Sequence, residues 1–295
     1  MDREAFDQRL FSLRETRARL PELVRNRHAS RHRRTVAGHD GLLLLIEADA
    51  PAAANLGAGG DPVALADRGE LLFRLVTALQ HPRVDGVIGS VDVIDDLLLL
   101  EVLEDRLAIG SMNHGGLAGS VVALGGRFTG YDADTVILSH LDGGKMDIRI
   151  DPLDAVTAGA VEACGRAVTG LAGGGVLALV APSWCSRVGG ELTADMSPDA
   201  LIRAVDVASG LGGRSQFTWL LVPPVDELDQ VMAATTLPAL LLLGDAGVDD
   251  PRLPGLLSAT GIRGMVLPGE GLYPADGDVT TVIERAAALV HAREQ

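Results

Sequence analysis

The sequence predicts a single (β/α)8 TIM barrel of the α/β class, preceded by an extra N-terminal helix, and three observations carry the prediction. The chain has 295 residues, one helix and a linker more than the roughly 250 typical of such a barrel. From Gly41 onward, short runs rich in Leu, Val and Ile alternate with longer Ala-rich amphipathic segments, the pattern of repeated β-α units on a parallel sheet. The runs number eight, the count that closes a barrel.

Residues 2–28 read as a helix, with Phe6, Leu10, Leu13 and Leu20 among Arg and Glu, loosened by Pro21. A polar Arg/His stretch follows, so residues 1–40 are expected to be a basic helix with its linker and residues 41–295 the barrel. The expected strands are Leu42–Ala48, Val84–Gly89, Leu107–Ser111, Lys145–Ile150, Val176–Ala181, Gln216–Val222, Ala239–Leu243 and Ile262–Leu267. An open doubly wound sheet is the alternative, but no GxGxxG follows the first run to support dinucleotide binding. Gly173, Gly174 and Gly175 precede a strand, which makes them a turn and not a phosphate cradle.

Apolar residues make up 47% of the chain and aromatics 3%, so the core is expected to be Leu, Val, Ile and Ala. The longest apolar runs fall well short of the roughly 18 residues a membrane span requires, and the N-terminus is helical and charged. The expectation is a soluble, cytoplasmic protein with no membrane partner. Cys164 and Cys185 show no CxxC or Cys/His spacing, so they are read as small buried hydrophobes. A net charge of −15 argues against nucleic acid, whose phosphates need concentrated Lys and Arg. Residues 1–34 nevertheless carry ten Arg against five acids, leaving the remainder near −20. Such a leader suits an acidic barrel, its own or that of a neighbour in a homo-oligomer; an ordinary solvated helix is the plainer reading.

Of the 25 Lys and Arg residues, only Lys145 is lysine. Arginine cannot replace lysine where a neutral amine attacks a carbonyl. Around it, period-two alternation puts Lys145, Asp147, Arg149 and Asp151 on the inward face of the fourth run, with Met146, Ile148 and Ile150 toward the helices. Four ionisable groups spaced about 7 Å apart in a packed interior must pair with one another or serve a ligand. An ion ladder of two cations and two acids satisfies the first condition, and an amine nucleophile the second. Burial and Arg149 would lower the lysine's pKa while Asp147 and Asp151 would raise it, and the sequence leaves that balance open.

Working residues of such a barrel lie at the carboxyl ends of the strands. That rule selects Glu47, Asp49, Ser90, Asp92, Asn113, His114, Arg149, Asp151, Trp184, Cys185, Asp245 and Glu270, a strongly acidic set. From it and the fourth run, the catalytic candidates are Lys145, Asp49, His114 and Asp151, and the substrate-binding candidates Asn113, Arg149, Ser111 and Asp147. Ser111, Asn113 and His114 offer a hydroxyl, an amide and an imidazole just past the third run. The acids lack a His pair at ligand spacing, so neither a metal nor another cofactor is expected.

At GSMNHGGLAGS (110–120), RFTGYDA (127–133), LDGGKMDIRID (141–151) and ASGLGGRSQFTWL (208–220) the chain resembles a known group. It is a group of actinobacterial (β/α)8 proteins related to the class I, Schiff-base aldolases of deoxyribose-phosphate, tagatose-bisphosphate and fructose-bisphosphate. The same likeness continues at VMAATTLPALLL (231–242) and LYPADGDV (272–279). It implies making or breaking a carbon–carbon bond through a lysine imine. Where the relatives read Thr-Trp-Leu-Lys-Leu-Pro, with lysine as the imine former, this chain has Thr218-Trp219-Leu220-Leu221-Val222-Pro223. Their Asp-His-Pro-Ala-Arg is here Asp49-Ala50-Pro51-Ala52-Ala53, their Glu-Pro is Ala181-Pro182, and their phosphate-suited Gly-Arg is replaced at Gly269-Glu270. The chain is thus a divergent member, with Lys145 matching the family's second barrel lysine.

Three functions stand open on these residues. One is an aldolase-type lyase acting on a small carbonyl or sugar-derived substrate with Lys145 as its amine. The second is an imine-independent enzyme in which the acids and His114 move protons. The third is a non-catalytic paralogue that binds a ligand or a partner subunit.

Overall fold

A computed structural model describes residues 2–36, 40–114, 116–117, 127–189, 191–244, 247–275 and 277–291. Nine strands occur among them: β1 (Leu43–Ala48), β2 (Gly86–Gly89), β3 (Leu107–Ser111), β4 (Gly143–Ile150), β5 (Leu177–Val188), β6 (Glu191–Ala194), β7 (Thr218–Val222), β8 (Ala239–Leu242) and β9 (Ile262–Pro268). The helices are α1 (Arg3–Arg19), α2 (Glu22–Ser30), α3 (Arg68–Leu79), α4 (Val91–Leu99), α5 (Ala133–Leu138), α6 (Val156–Gly173), α7 (Pro198–Ser209), α8 (Leu228–Met232), α9 (Leu253–Leu257) and α10 (Val279–His291).

All strands but β6 pair in parallel, in the order β4-β3-β2-β1-β9-β8-β7-β5, and the ring closes where β4 pairs β5 from Gly143↔Leu177 to Ile150↔Trp184. This is the expected (β/α)8 barrel, with each of the eight apolar runs on one of its strands. Two layers of core follow from the alternation of side chains along a strand. Leu43, Leu45, Ile109, Leu179, Leu221 and Val266 fill the interior, while Leu44, Ile46, Met146, Ile148 and Ile150 pack outward beneath the helices. Backbones come very close at Gly264 (φ 122°), where a Cβ would lie 1.9 Å from the carbonyl oxygen of Leu43, so β9 can pair with β1 there only as glycine.

Two local features differ from the expectation. The N-terminal segment is two helices, because Pro21 lacks an N–H and disfavours helical backbone at Leu20, which is half exposed. Strand β5 runs seven residues past Ala181 and turns back at Gly189 (φ 63°) into β6, with Cys185↔Ala194 to Val188↔Glu191 paired antiparallel. Gly189-Gly190 is a two-residue hairpin signal in a segment that no apolar run marks, since Ser186 and Arg187 of the arm are both exposed.

The leader lies against its own barrel. Phe6 is fully buried and meets Phe73 of α3 edge to face at 5.3 Å between ring centroids, and Leu13 is buried beside it. Arg17 Nε donates to Asp96 of α4 at 2.8 Å. The linker then crosses the amino ends of the strands: Arg31 Nη2 donates to Asp142 Oδ2 at 2.8 Å and Arg34 Nη1 to Asp85 Oδ1 at 2.7 Å. Both acids also accept strand N–H groups, Asp142 from Ala108 and Asp85 from Leu44. The surplus of arginine in the first 34 residues thus neutralises acids that end the sheet's own hydrogen-bond ladder. Among the described residues, no helix is long and apolar enough to cross a membrane.

Candidate functional site

Four of the expected site residues meet at the carboxyl end of the barrel around Lys145. In β1 the odd-numbered side chains Leu43, Leu45 and Glu47 face inward, and Asp49 follows where the strand gives way to a 3-10 turn. In β4 the inward set is Lys145, Asp147 and Arg149, as the alternation requires. The ammonium of Lys145 lies 2.9 Å from Asp147 Oδ2, 3.0 Å from Glu47 Oε1 and 3.6 Å from Asp49 Oδ2. Ser111 Oγ, at the end of β3, donates to Asp49 Oδ2 at 2.5 Å, and His114 Nδ1 stands 4.0 Å from the same oxygen.

Burial and charge set the protonation of this cluster. Only 6% of the Lys145 side chain is exposed. Burial pulls its pKa down, but Asp147, Asp49 and Glu47 outweigh that and hold it well above the ordinary lysine value. The balance left open by the sequence therefore falls to the acids, and the resting amine is an ammonium ion. Glu47 moves the other way: burial first, with repulsion from Asp49 and Asp147, pushes its carboxyl up to about 7 against the attraction of Lys145. Its Oε1 faces Lys145 as an ion contact without hydrogen-bond alignment. One buried carboxyl therefore changes charge near neutral pH beside a lysine that does not.

The remaining candidates separate. Asn113 is buried and clamps the backbone of Asp147 from both sides, its Nδ2 donating to the carbonyl at 2.9 Å and its Oδ1 accepting the N–H at 2.7 Å. It positions β4 and lines neither of the two cavities at this end. Arg149 is exposed on the barrel's rim and, among the described residues, makes no ion pair. Asp151 leaves the expected ladder because β4 ends at Ile150, so the period-two alternation stops one residue short of it. Its Oδ1 instead accepts the Leu153 N–H at 3.0 Å, and its backbone is tied to Thr157 at the head of α6. Asp245 and Gly115 lie outside the described residues. Cys164 is buried, and burial pushes its thiol up to about 12, as suits a core residue.

Among the described residues, two hollows flank the cluster. A cavity of about 330 Å³ opens over β4, β5, β7 and β8 beneath the β5–β6 arm, with Asp147, Arg149 and Leu221 in its wall. A second, of about 600 Å³, lies between β2, β3 and the leader and includes Ser111, His114, Asp92 and Arg17. The Lys145 cluster separates them, reaching the first through Asp147 and the second through Ser111 and His114. Glu47 is the residue that sequence reasoning placed at the right strand end without a role. The signal was present as a lone carboxylate on the inward face of Leu43–Ala48, two residues before Asp49.

The family model described as Cgl0159-like matches residues 41–287. The crystal structure of Cgl0159 from Corynebacterium glutamicum (Brevibacterium flavum) is similar at 39% identity over 97% of each chain, with a TM-score of 0.92. An archaeal fructose 1,6-bisphosphate aldolase is similar at 15% identity over 91% of this chain and 99% of its own, with a TM-score of 0.63. A Schiff-base-forming fructose-1,6-bisphosphate aldolase is similar at 15% identity over 90% and 99%, with a TM-score of 0.62. At that identity the likeness shows the fold alone. No curated protein matches the chain.

Proposed function

This chain belongs to the Cgl0159-like family, and from that premise we propose that it is an aldolase-type lyase that works by proton transfer around a permanently charged Lys145. Its substrate is a small carbonyl compound or one derived from a sugar. The observation that carries the reading is the buried Lys145 ammonium held 2.9 Å from Asp147, 3.0 Å from Glu47 and 3.6 Å from Asp49, a setting that keeps the amine charged and raises the carboxyl of Glu47.

In this reading the ammonium donates a hydrogen bond to the substrate's carbonyl oxygen. A carboxylate, Asp147 or Asp49, takes the proton from a hydroxyl two carbons away. The bond between the intervening carbons breaks, its electron pair moves into an enolate held by the ammonium, and the hydroxyl-bearing carbon leaves as a new carbonyl. Protonated Glu47 then returns a proton to the enolate carbon. A group with a pKa of about 7 is suited to that exchange, since both of its forms are present at the working pH. An electrophilic cation in a water-poor site stabilises the enolate where its charge develops.

A second reading keeps the imine at Lys145. It is favoured by the 3.0 Å contact with Glu47, which is close enough to take the ammonium's proton before the amine attacks. The two readings part under one experiment. The protein is incubated with a panel of ketones and aldol products in deuterium oxide, followed by proton NMR, and in parallel with borohydride, followed by intact mass. Proton transfer predicts deuterium at the α-carbon, lost in Glu47→Gln, with no reduced adduct. A borohydride adduct on Lys145 establishes the imine instead, and absence of both exchange and adduct across the panel removes the lyase reading. The single lysine makes the adduct's position readable.

A further inference from the structure

We infer that the cavity beneath the β5–β6 arm is where the substrate sits, and that the substrate carries a carboxylate which Arg149 binds, joined to its carbonyl by a short aliphatic chain. The inference rests on the proposed function for the position of the reacting carbonyl, and adds the substrate class. Arg149 is the only cation in the cavity wall among the described residues, and it makes no ion pair there. A guanidinium presents a planar fork that matches a carboxylate through two parallel hydrogen bonds. Other arginines are spent on acids, as at Asp96, Asp142, Asp85, Asp154 and Asp250.

The rest of the wall selects further. Asp147 and Asp195 line the same space. With one guanidinium beside two carboxylates the wall carries no surplus of positive charge, so it disfavours a phosphate dianion and leaves any single negative charge to the direct contact with Arg149. Beside Ser183 and Cys185, most of the remaining wall is apolar, with Ala181, Pro182, Leu221, Pro223 and Leu242 among its residues. Such a surface holds a methylene chain and leaves a polyol's hydroxyls without partners. Leu221, at the position where the relatives have lysine, contributes to this slot with 1% of its surface exposed.

Spacing gives the length. Arg149 and Asp147 are two residues apart on one face of β4, so their Cα atoms are separated by about 7 Å. Asp147 in turn holds Lys145 at 2.9 Å. A ligand whose carboxylate lies on Arg149 and whose carbonyl lies at Asp147, through which the Lys145 cluster reaches this cavity, is therefore short, which describes a small oxo acid with its carbonyl remote from the carboxylate.

Calorimetry with three probes tests this: 4-oxopentanoate, its amide as the uncharged isostere, and dihydroxyacetone phosphate. Wild type should bind the acid at least tenfold more tightly than the amide, the gain expected of a charge-assisted pair. Arg149→Met should lose that preference while keeping amide affinity within about twofold, and Arg149→Lys should fall between. Because the side chain is exposed, neither variant is expected to disturb folding. Equal binding of acid and amide by wild type, an unchanged preference in Arg149→Met, tighter binding of the phosphate, or binding of none of the probes would each overturn the inference. Glu47→Gln should retain the preference for the acid. If deuterium exchange fails while that preference stands, the proton-transfer reading falls and the carboxylate site remains; the converse pattern removes the site alone.

Discussion

Glu47 and Lys145 come from strands that are not neighbours in the sheet, with β2 and β3 between them, yet Oε1 and Nζ meet at 3.0 Å across the barrel interior. The contact joins a carboxyl raised to about 7 with an amine raised well above its ordinary value. Both shifts arise because three carboxylates share one cation where little water reaches, so one carboxyl takes up a proton more readily than it would in solution.

That carboxyl should make stability depend on pH. Its folded-state pKa of about 7 stands above the ordinary 4.5, so the native state binds the extra proton within that window and the unfolded state does not. Stability therefore falls as pH rises through the window, by an amount on the order of 2 kcal/mol. Urea unfolding at pH 5 and pH 8 should show wild type losing stability relative to Glu47→Gln. A gap between the two proteins that does not change with pH would mean that Glu47 titrates normally.

Removing the cation should cost more. Lys145→Met leaves Glu47, Asp49 and Asp147 facing one another, which corresponds to about 3–5 kcal/mol for a buried charge cluster that loses its partner. The loss should shrink at pH 5, below the raised pKa of Glu47, where that carboxyl is neutral. A variant as stable as wild type at pH 7 would show that the cluster is solvated.

The basic leader offers a paired comparison on one acid. Arg31 and Arg33 both contact Asp142, at 2.8 Å each, but the Arg31 side chain is 1% exposed and that of Arg33 is 41%. Arg31→Ala should cost about 3 kcal/mol because Asp142 stays buried with its charge only partly met. Arg33→Ala should cost less than about 1 kcal/mol, as solvent screens it. Equal losses in denaturant melts would refute the role given to burial.

A lysine placed at Leu221 should introduce imine chemistry. Leu221 sits in the apolar interior and on the wall of the smaller cavity. There a Leu221→Lys amine, far less well paired than Lys145, should be neutral near pH 8. Borohydride with a small ketone should then trap an adduct on the new lysine, at some cost in stability. No adduct in a folded Leu221→Lys protein would mean that the slot does not admit a carbonyl to that wall.

The barrel was legible because fully buried parallel strands leave an unmistakable trace: runs such as Leu43–Ile46 and Ala239–Leu242 are apolar on both faces and recur between Ala-rich helices. The β5–β6 arm was not, because it pairs above the barrel, where one face meets solvent and the apolar run is broken. Period-two alternation placed Lys145, Asp147 and Arg149 inward, and it misplaced Asp151 because alternation holds only while the strand lasts.

By itself the sequence determined that one amine faces the interior of an eight-stranded barrel and that acids gather at the carboxyl end. Only the tertiary structure decided which acids reach that amine. Glu47 and Asp49 lie about a hundred residues from Lys145 in the chain, and the barrel's closure, not any local pattern, sets them within 4 Å of its charge. Protonation follows from that distance and from burial together, because charge–charge energy grows as separation and dielectric fall. No spacing within a single strand encodes either quantity.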